Sequence, residues 1–325
     1  MMAIPRRRLA RASLLVAIIV TGGAAVGAGG CDFARVALAN SRWFFRTPSP
    51  APFADRPRAD DAALSVLWVG HATALIQIHD RYILTDPVFT ELVGGLSRRV
   101  VAPGLRPDQL PHLAAVLVSH RHFDHLSKDS LALLAGRADV ILTPAGAGAD
   151  VPREAGPVEE LAWDEQLRTA DGLTITAVRV AHEGNRLLHD GAAHPRAFTG
   201  YVVEHRGLTV FFPGDTAYAR DRFDAVRRRF PRIDLALLPV GPITPTRMMR
   251  AHHLDPAEAL TAFEDLGAAQ MVPVHFGTFM HSFDLPGEVE RALDEALAAR
   301  PALTSRVHRL GPGQRRVIIP RGRRT

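Results

Sequence analysis

The succession of apolar runs in this 325-residue chain predicts an α/β (α+β) fold, with two mixed β-sheets packed face to face and helices on the outer faces. Three observations predict it. Short apolar runs at strand length take over from residue 64, helix-like stretches interrupt them, and the order of strands followed by alternating strands and helices occurs twice. A hydrophobic content of 47 % over this length supplies a substantial core and excludes disorder as the main state. No internal repeat at a solenoid period is visible.

The first set of strands is expected at 64–69, 74–78, 82–85, 114–119 and 140–143, with a helix over 127–135 before the last of these. The second set opens with strands at 173–181, 199–204 and 208–213 and continues with a helix over 220–229. Strands at 235–240 and 271–275 follow, with helices over 256–266 and 286–299 and a final strand near 315–319. Pro256, placed just after Asp255, suits the first turn of a helix, where its missing N–H is no loss.

The charge is terminal rather than central. The formal balance is +5, yet Arg6, Arg7, Arg8 and Arg11 stand in the first 30 residues without an acid, and Arg315, Arg316, Arg321, Arg323 and Arg324 crowd the C-terminus. The body between them lacks the basic track that a nucleic-acid groove needs, so no nucleic-acid partner is expected. The arginines at 6–11, the apolar run at 14–20 and the small residues up to Gly30 read as an export signal over residues 1–30. Cys31, the only cysteine, excludes a disulfide framework and a cysteine metal site. Its place after Ala28-Gly29-Gly30 resembles a bacterial lipoprotein signal, in which that cysteine carries the lipid; a cleaved signal or a retained anchor are the alternatives. The expected location is the cell envelope after export across the cytoplasmic membrane. Residues 31–61, rich in proline and arginine, read as a tether into the main domain over 62–325, and their Trp43-Phe44-Phe45 patch suits docking on the domain or on a membrane surface.

The chemistry concentrates in His120-Arg121-His122-Phe123-Asp124-His125, where a buried strand ends and a helix is about to begin. Side chains two apart on extended chain point the same way, so His120 and His122 suit one metal ion while Asp124 and His125 face a neighbouring position. Imidazole and carboxylate together suit zinc, and a catalytic zinc keeps one position open for water. Further ligands are expected at other strand ends: His182, Asp215 in Pro213-Gly214-Asp215-Thr216, and His275. Taken singly, each also reads as a loop histidine or a helix-capping aspartate.

These motifs stand together with Trp68-Val69-Gly70-His71-Ala72-Thr73, Leu84-Thr85-Asp86-Pro87-Val88-Phe89 and His275-Phe276-Gly277-Thr278-Phe279. In that combination, over residues 64–300, the chain resembles the metallo-β-lactamase superfamily, and within it the N-acyl-phosphatidylethanolamine-hydrolysing phospholipase D group. The resemblance implies an αββα sandwich holding two zinc ions, with manganese or iron as alternatives. It implies His120, His122 and His182 on the first ion, Asp124, His125 and His275 on the second, and Asp215 bridging both. It places His253 near the substrate phosphate, Asp124 also as an orienting group for the attacking water, and Asp86 behind the ligands as their support. His71 reads as structural. The sequence departs from the group after His182, where Glu183-Gly184-Asn185 replaces a tryptophan, which bears on the shape of the substrate pocket.

The implied activity is cleavage of a lipid or small-molecule phosphodiester by a water activated between the two ions. The alternative is a lactonase or other carboxylic ester hydrolase of the ascorbate-phosphate lactonase type, because the same water attacks a carbonyl. A noncatalytic envelope protein with a structural metal fits poorly, since such sites close all four positions with cysteine and histidine. The sequence carries no reading of oligomeric state.

Overall fold

The computed structural model describes residues 35–322 except 37, 44, 96 and 187–189. The predicted export signal, Cys31 and Phe44 lie outside the described residues. Among the described residues no helix is long and apolar enough to cross a membrane. The chain ahead of the first strand runs against the body: the Ser49 N–H donates to the Val100 carbonyl at 2.9 Å and that of Asp55 to Gly313 at 3.1 Å.

The first sheet collects β1 (Ala62–Gly70), β2 (Thr73–Ile78) and β3 (Arg81–Thr85), and after the small hairpin of β4 (Leu92–Val93) and β5 (Ser97–Arg98) it adds β6 (Ala115–Leu117). A short helix, α1 (Lys128–Ala132), leads to β7 (Ile141–Pro144) and then β8 (Val158–Leu161). The second sheet begins with β9 (Gln166–Arg168), β10 (Thr174–Val178), β11 (Gly200–His205) and β12 (Leu208–Phe212). Helix α2 (Arg220–Arg229), β13 (Leu235–Pro239), α3 (Thr246–Met249), α4 (Pro256–Leu266) and β14 (Gln270–Val274) follow. Helix α5 (Glu288–Ala298) and β15 (Arg315–Pro320) close the chain.

The last strand returns to the first sheet, whose order is β15-β1-β2-β3-β6-β7-β8; the second runs β14-β13-β12-β11-β10-β9. Both are mixed. β3, β6, β7 and β8 pair in parallel, as do β12, β13 and β14, while the remaining neighbours are antiparallel.

Alternation along the strands explains why the layers form. Val66 and Trp68 of β1 and Ile76 and Ile78 of β2 join the main core with Tyr201 and Phe212 of the facing sheet, whereas Leu67, Val69 and Leu75 turn to the other side and pack with Leu131 of α1. A period of two with both faces buried gives the unbroken apolar runs of the sequence. Tyr201 also ties the sheets directly, donating its hydroxyl to the Val118 carbonyl at 2.9 Å. On the outer face of the second sheet, Leu260 and Phe263 of α4 and Phe223 of α2 extend the same core.

The structure refines several expectations. The strand expected over 114–119 is three residues long, and after a last bond from the Val118 N–H to the Leu142 carbonyl at 2.9 Å the chain turns into the histidine segment. The helix expected over 127–135 reaches only Ala132, capped by Ser127, whose side chain accepts from the Ser130 N–H. β8 escaped prediction because Val158, Glu159 and Glu160 are exposed and only Leu161 is buried, as befits an edge strand.

Candidate metal centre

The site forms where strands of both sheets that run in the same sense reach their C-terminal ends. His71 follows β1, Asp86 follows β3, the histidine segment follows β6, His182 lies beyond β10, Asp215 beyond β12, and His275 follows β14. Three of these residues have left-handed backbone: His71 at φ 57°, Asp86 at φ 31° and His275 at φ 63°. Such conformations are disfavoured for residues with a Cβ, and here each turns a strand end sharply into the cleft. Gly214 does the same for Asp215, with φ 64°; a Cβ there would fall 2.2 Å from that of Ser119, so only glycine lets the two strand ends meet.

The seven residues predicted as ligands converge. His120, His122 and His182 form one group of facing ligand atoms, and Asp124, His125 and His275 form another, which His71 joins. Asp215 lies between the two groups. Its Oδ2 is 3.1 Å from Nε2 of both His125 and His275 and 3.9 Å from Nε2 of His120, while its Oδ1 is buried without a partner. His253 stands beside it, with Nδ1 3.5 Å from Asp215 Oδ2.

The hydrogen bonds around the rings fix which nitrogen faces the cleft. Asp86 accepts from the Ser119 N–H at 2.7 Å, from the Ser119 hydroxyl at 2.6 Å and from His125 Nδ1 at 2.6 Å. With its proton committed to Asp86, the Ser119 oxygen accepts from His120 Nδ1 at 2.9 Å. His182 donates Nδ1–H to the His252 carbonyl at 3.0 Å, and His275 donates Nδ1–H to that of Gly241 at 3.0 Å. His122 is held the other way round, giving Nε2–H to the Asn185 side-chain oxygen at 3.2 Å. These tautomers follow from the partners, and in the neutral rings they leave a bare lone pair on every inward nitrogen.

The bare nitrogens then confront each other. His120 Nε2 is 2.8 Å from His122 Nδ1, and His125 Nε2 is 3.2 Å from His275 Nε2. Two lone pairs at such distances repel unless a cation sits among them, and His182 Nε2 and Asp215 Oδ1 are likewise buried with no partner. The residues therefore fit a bound metal. Protonation tells the same story: burial opposes charge on His275, yet with no cation between the groups Asp215 and Asp124 raise its pKa to about 9, so a proton takes up the charge that a metal would otherwise supply. Burial likewise works against charge on His125, and Asp215, Asp124 and Asp86 overcome it. Burial holds His120 and His182 well below the ordinary imidazole value.

His71, expected to be structural, places Nε2 2.9 Å from Asp124 Oδ2 and so steadies that carboxylate within the second group. Ser119, Asn185 and Gly241 were missed. Ser119 and Asn185 are ordinary polar residues in sequence, and the departure at 183–185 was the one signal that pointed at Asn185.

Residues 81–276 match the family model described as the β-lactamase superfamily domain, and the chain belongs to that family. It is a metal-dependent hydrolase of the metallo-β-lactamase superfamily. It is 28 % identical over 262 residues, 75 % of this chain and 72 % of the relative, to N-acyl-phosphatidylethanolamine-hydrolyzing phospholipase D 1 of Caenorhabditis elegans. It is also 28 % identical over 248 residues, 73 % of this chain and 84 % of the other, to a metal-dependent hydrolase of Anaeromyxobacter. Among solved structures it resembles Igni18, a metallo hydrolase of Ignicoccus hospitalis, with a TM-score of 0.58 at 19 % identity, covering 78 % of this chain and 97 % of that one.

Proposed function

We propose that the chain is a dinuclear metallohydrolase that cleaves a phosphodiester in N-acyl-phosphatidylethanolamine-like lipids in the manner of a phospholipase D. The observation that carries the reading is the pairing of two ligand groups about one carboxylate, with Asp215 Oδ1 left over for a second ion. His120, His122 and His182 would hold one cation, Asp124, His125 and His275 the other, and Asp215 both. Two such ions, zinc or else manganese or iron, supply Lewis acidity and a water acidic enough to attack at neutral pH.

The chain's own residues do the rest. Asp124, held by His71 and one-fifth exposed, is the ligand closest to solvent in its group and is placed to orient the attacking water. His253, packed edge-on against His182 and stacked on His275, borders both groups and is placed to hold a phosphate oxygen. Its pKa is lowered to about 3 by burial, against the pull of Asp215, so it meets the phosphate as a neutral donor. The likeness to the nematode phospholipase supports the lipid, and an exported, membrane-associated enzyme would meet that substrate where it works.

The test is hydrolysis by the purified, metal-loaded chain of an N-acylated phosphatidylethanolamine, bis-p-nitrophenyl phosphate and an acyl lactone. Release of phosphatidate from the lipid is expected. Turnover of the lactone alone would replace this reading with the lactonase one, and metal content near one ion per chain would remove the dinuclear centre.

A further inference from the structure

Beside the second ligand group lies a cavity of about 70 Å³ that the centre itself does not use. Its walls include His275 on the metal side, His281, and the apolar Phe279, Met280, Leu285 and Val289. His281 is the unusual member. Its ring stands edge-to-face against His71 at 5.4 Å and His275 at 5.5 Å, yet neither of its buried nitrogens has a hydrogen-bond partner. Asp284, the nearby carboxylate, is already spent on the N–H groups of Ile243 and Thr244 at 2.8 and 2.9 Å. An imidazole buried with both nitrogens idle costs stability that a phenylalanine or leucine in its place would not.

We propose that this cavity is the subsite for the leaving alcohol, and that His281 hydrogen-bonds the polar group of that alcohol. At roughly 10–15 Å³ per water, the space takes about five water-sized groups. That suits a short chain such as the –O–CH2–CH2–NH–C(=O)– of an ethanolamide and excludes a fatty tail. Phe283 and Leu285 on the same loop are 36 % and 47 % exposed, an apolar rim on which the tail could lie. The inference deepens the phosphodiesterase reading and rests on it for the orientation of the substrate.

The experiment compares metal-loaded wild type, His281→Phe and His281→Gln. His281→Phe is expected to raise KM for N-acylated phosphatidylethanolamine about tenfold, the worth of one good hydrogen bond, with kcat and metal content unchanged. KM for diphenyl phosphate, whose leaving phenol carries no polar group beyond the reacting oxygen, should stay as it was. His281→Gln should recover most of the loss, and His281→Phe should melt no lower than wild type. Equal effects on both substrates, no effect on either, or a lowered Tm would overturn the subsite. Calorimetry with N-acetylethanolamine separates this inference from the reading beneath it. Binding to wild type that disappears in His281→Phe upholds the subsite even if the lipid is not cleaved, and no binding to wild type refutes it.

Discussion

Asp86 shows how much of the centre depends on a residue that faces away from it. Its carboxylate takes three donors, one of them His125 Nδ1–H, and so keeps the His125 proton off the nitrogen that looks into the cleft. In Asp86→Asn the new amide N–H must face those donors, and His125 relieves the clash by moving its proton to Nε2. The lone pair needed by a metal is then gone. The expected result is metal affinity lower by about 10–100-fold with the fold intact, read by competition with a chromogenic chelator alongside circular dichroism. Unchanged affinity would show that the ring is oriented by something else.

Residues of this kind divide sharply in how readable they were. His120, His122, Asp124 and His125 announce themselves because four donor side chains in six residues have no other common purpose. Asp86 and His253 were legible only through the resemblance. Ser119 and His281 were not legible, and Asn185 only as part of the departure at 183–185, since a serine, an asparagine or a lone histidine gains its meaning from a neighbour that is remote in sequence: Asn185 holds a ring 63 positions away.

At the scale of the element, helices with both a periodic apolar face and a terminal signal were placed as the structure has them. α4 is the example. Asp255 accepts from the Glu258 N–H at 2.8 Å while Glu258 reaches back to the Asp255 N–H at 3.2 Å, Pro256 opens the first turn, and Gly267 ends the helix at φ 63°. Asp255→Ala should cost about 1 kcal/mol in a denaturant melt. A larger loss would mean that the cap also holds His253, two residues upstream, in its place beside Asp215. Elements without such signals, the edge strand β8 and the one-turn α3, carried too few buried positions to show a period.

The whole molecule is two sheets that agree at one end. Each contributes strand ends to the centre, so a bound cation would tie β1 and β6 to β10, β12 and β14 across the sandwich. Chelation should therefore lower the Tm, because a ligand at a thousandfold excess over its Kd adds about 4 kcal/mol to the native state. The measurement is differential scanning calorimetry with and without a strong chelator, and a melt unmoved by metal removal would argue against a centre shared between the sheets.

The sequence by itself determined the layers, most of the strands and the donor residues expected to converge at one end of the sandwich, because alternation, helical period and donor chemistry are local properties of the chain. Only the tertiary structure decided which nitrogen of each histidine faces inward, that His71 leans on Asp124, and that a cavity with an idle imidazole lies beside the centre. Each of those depends on a contact between segments far apart in the chain, and no pattern within either segment encodes the distance between them.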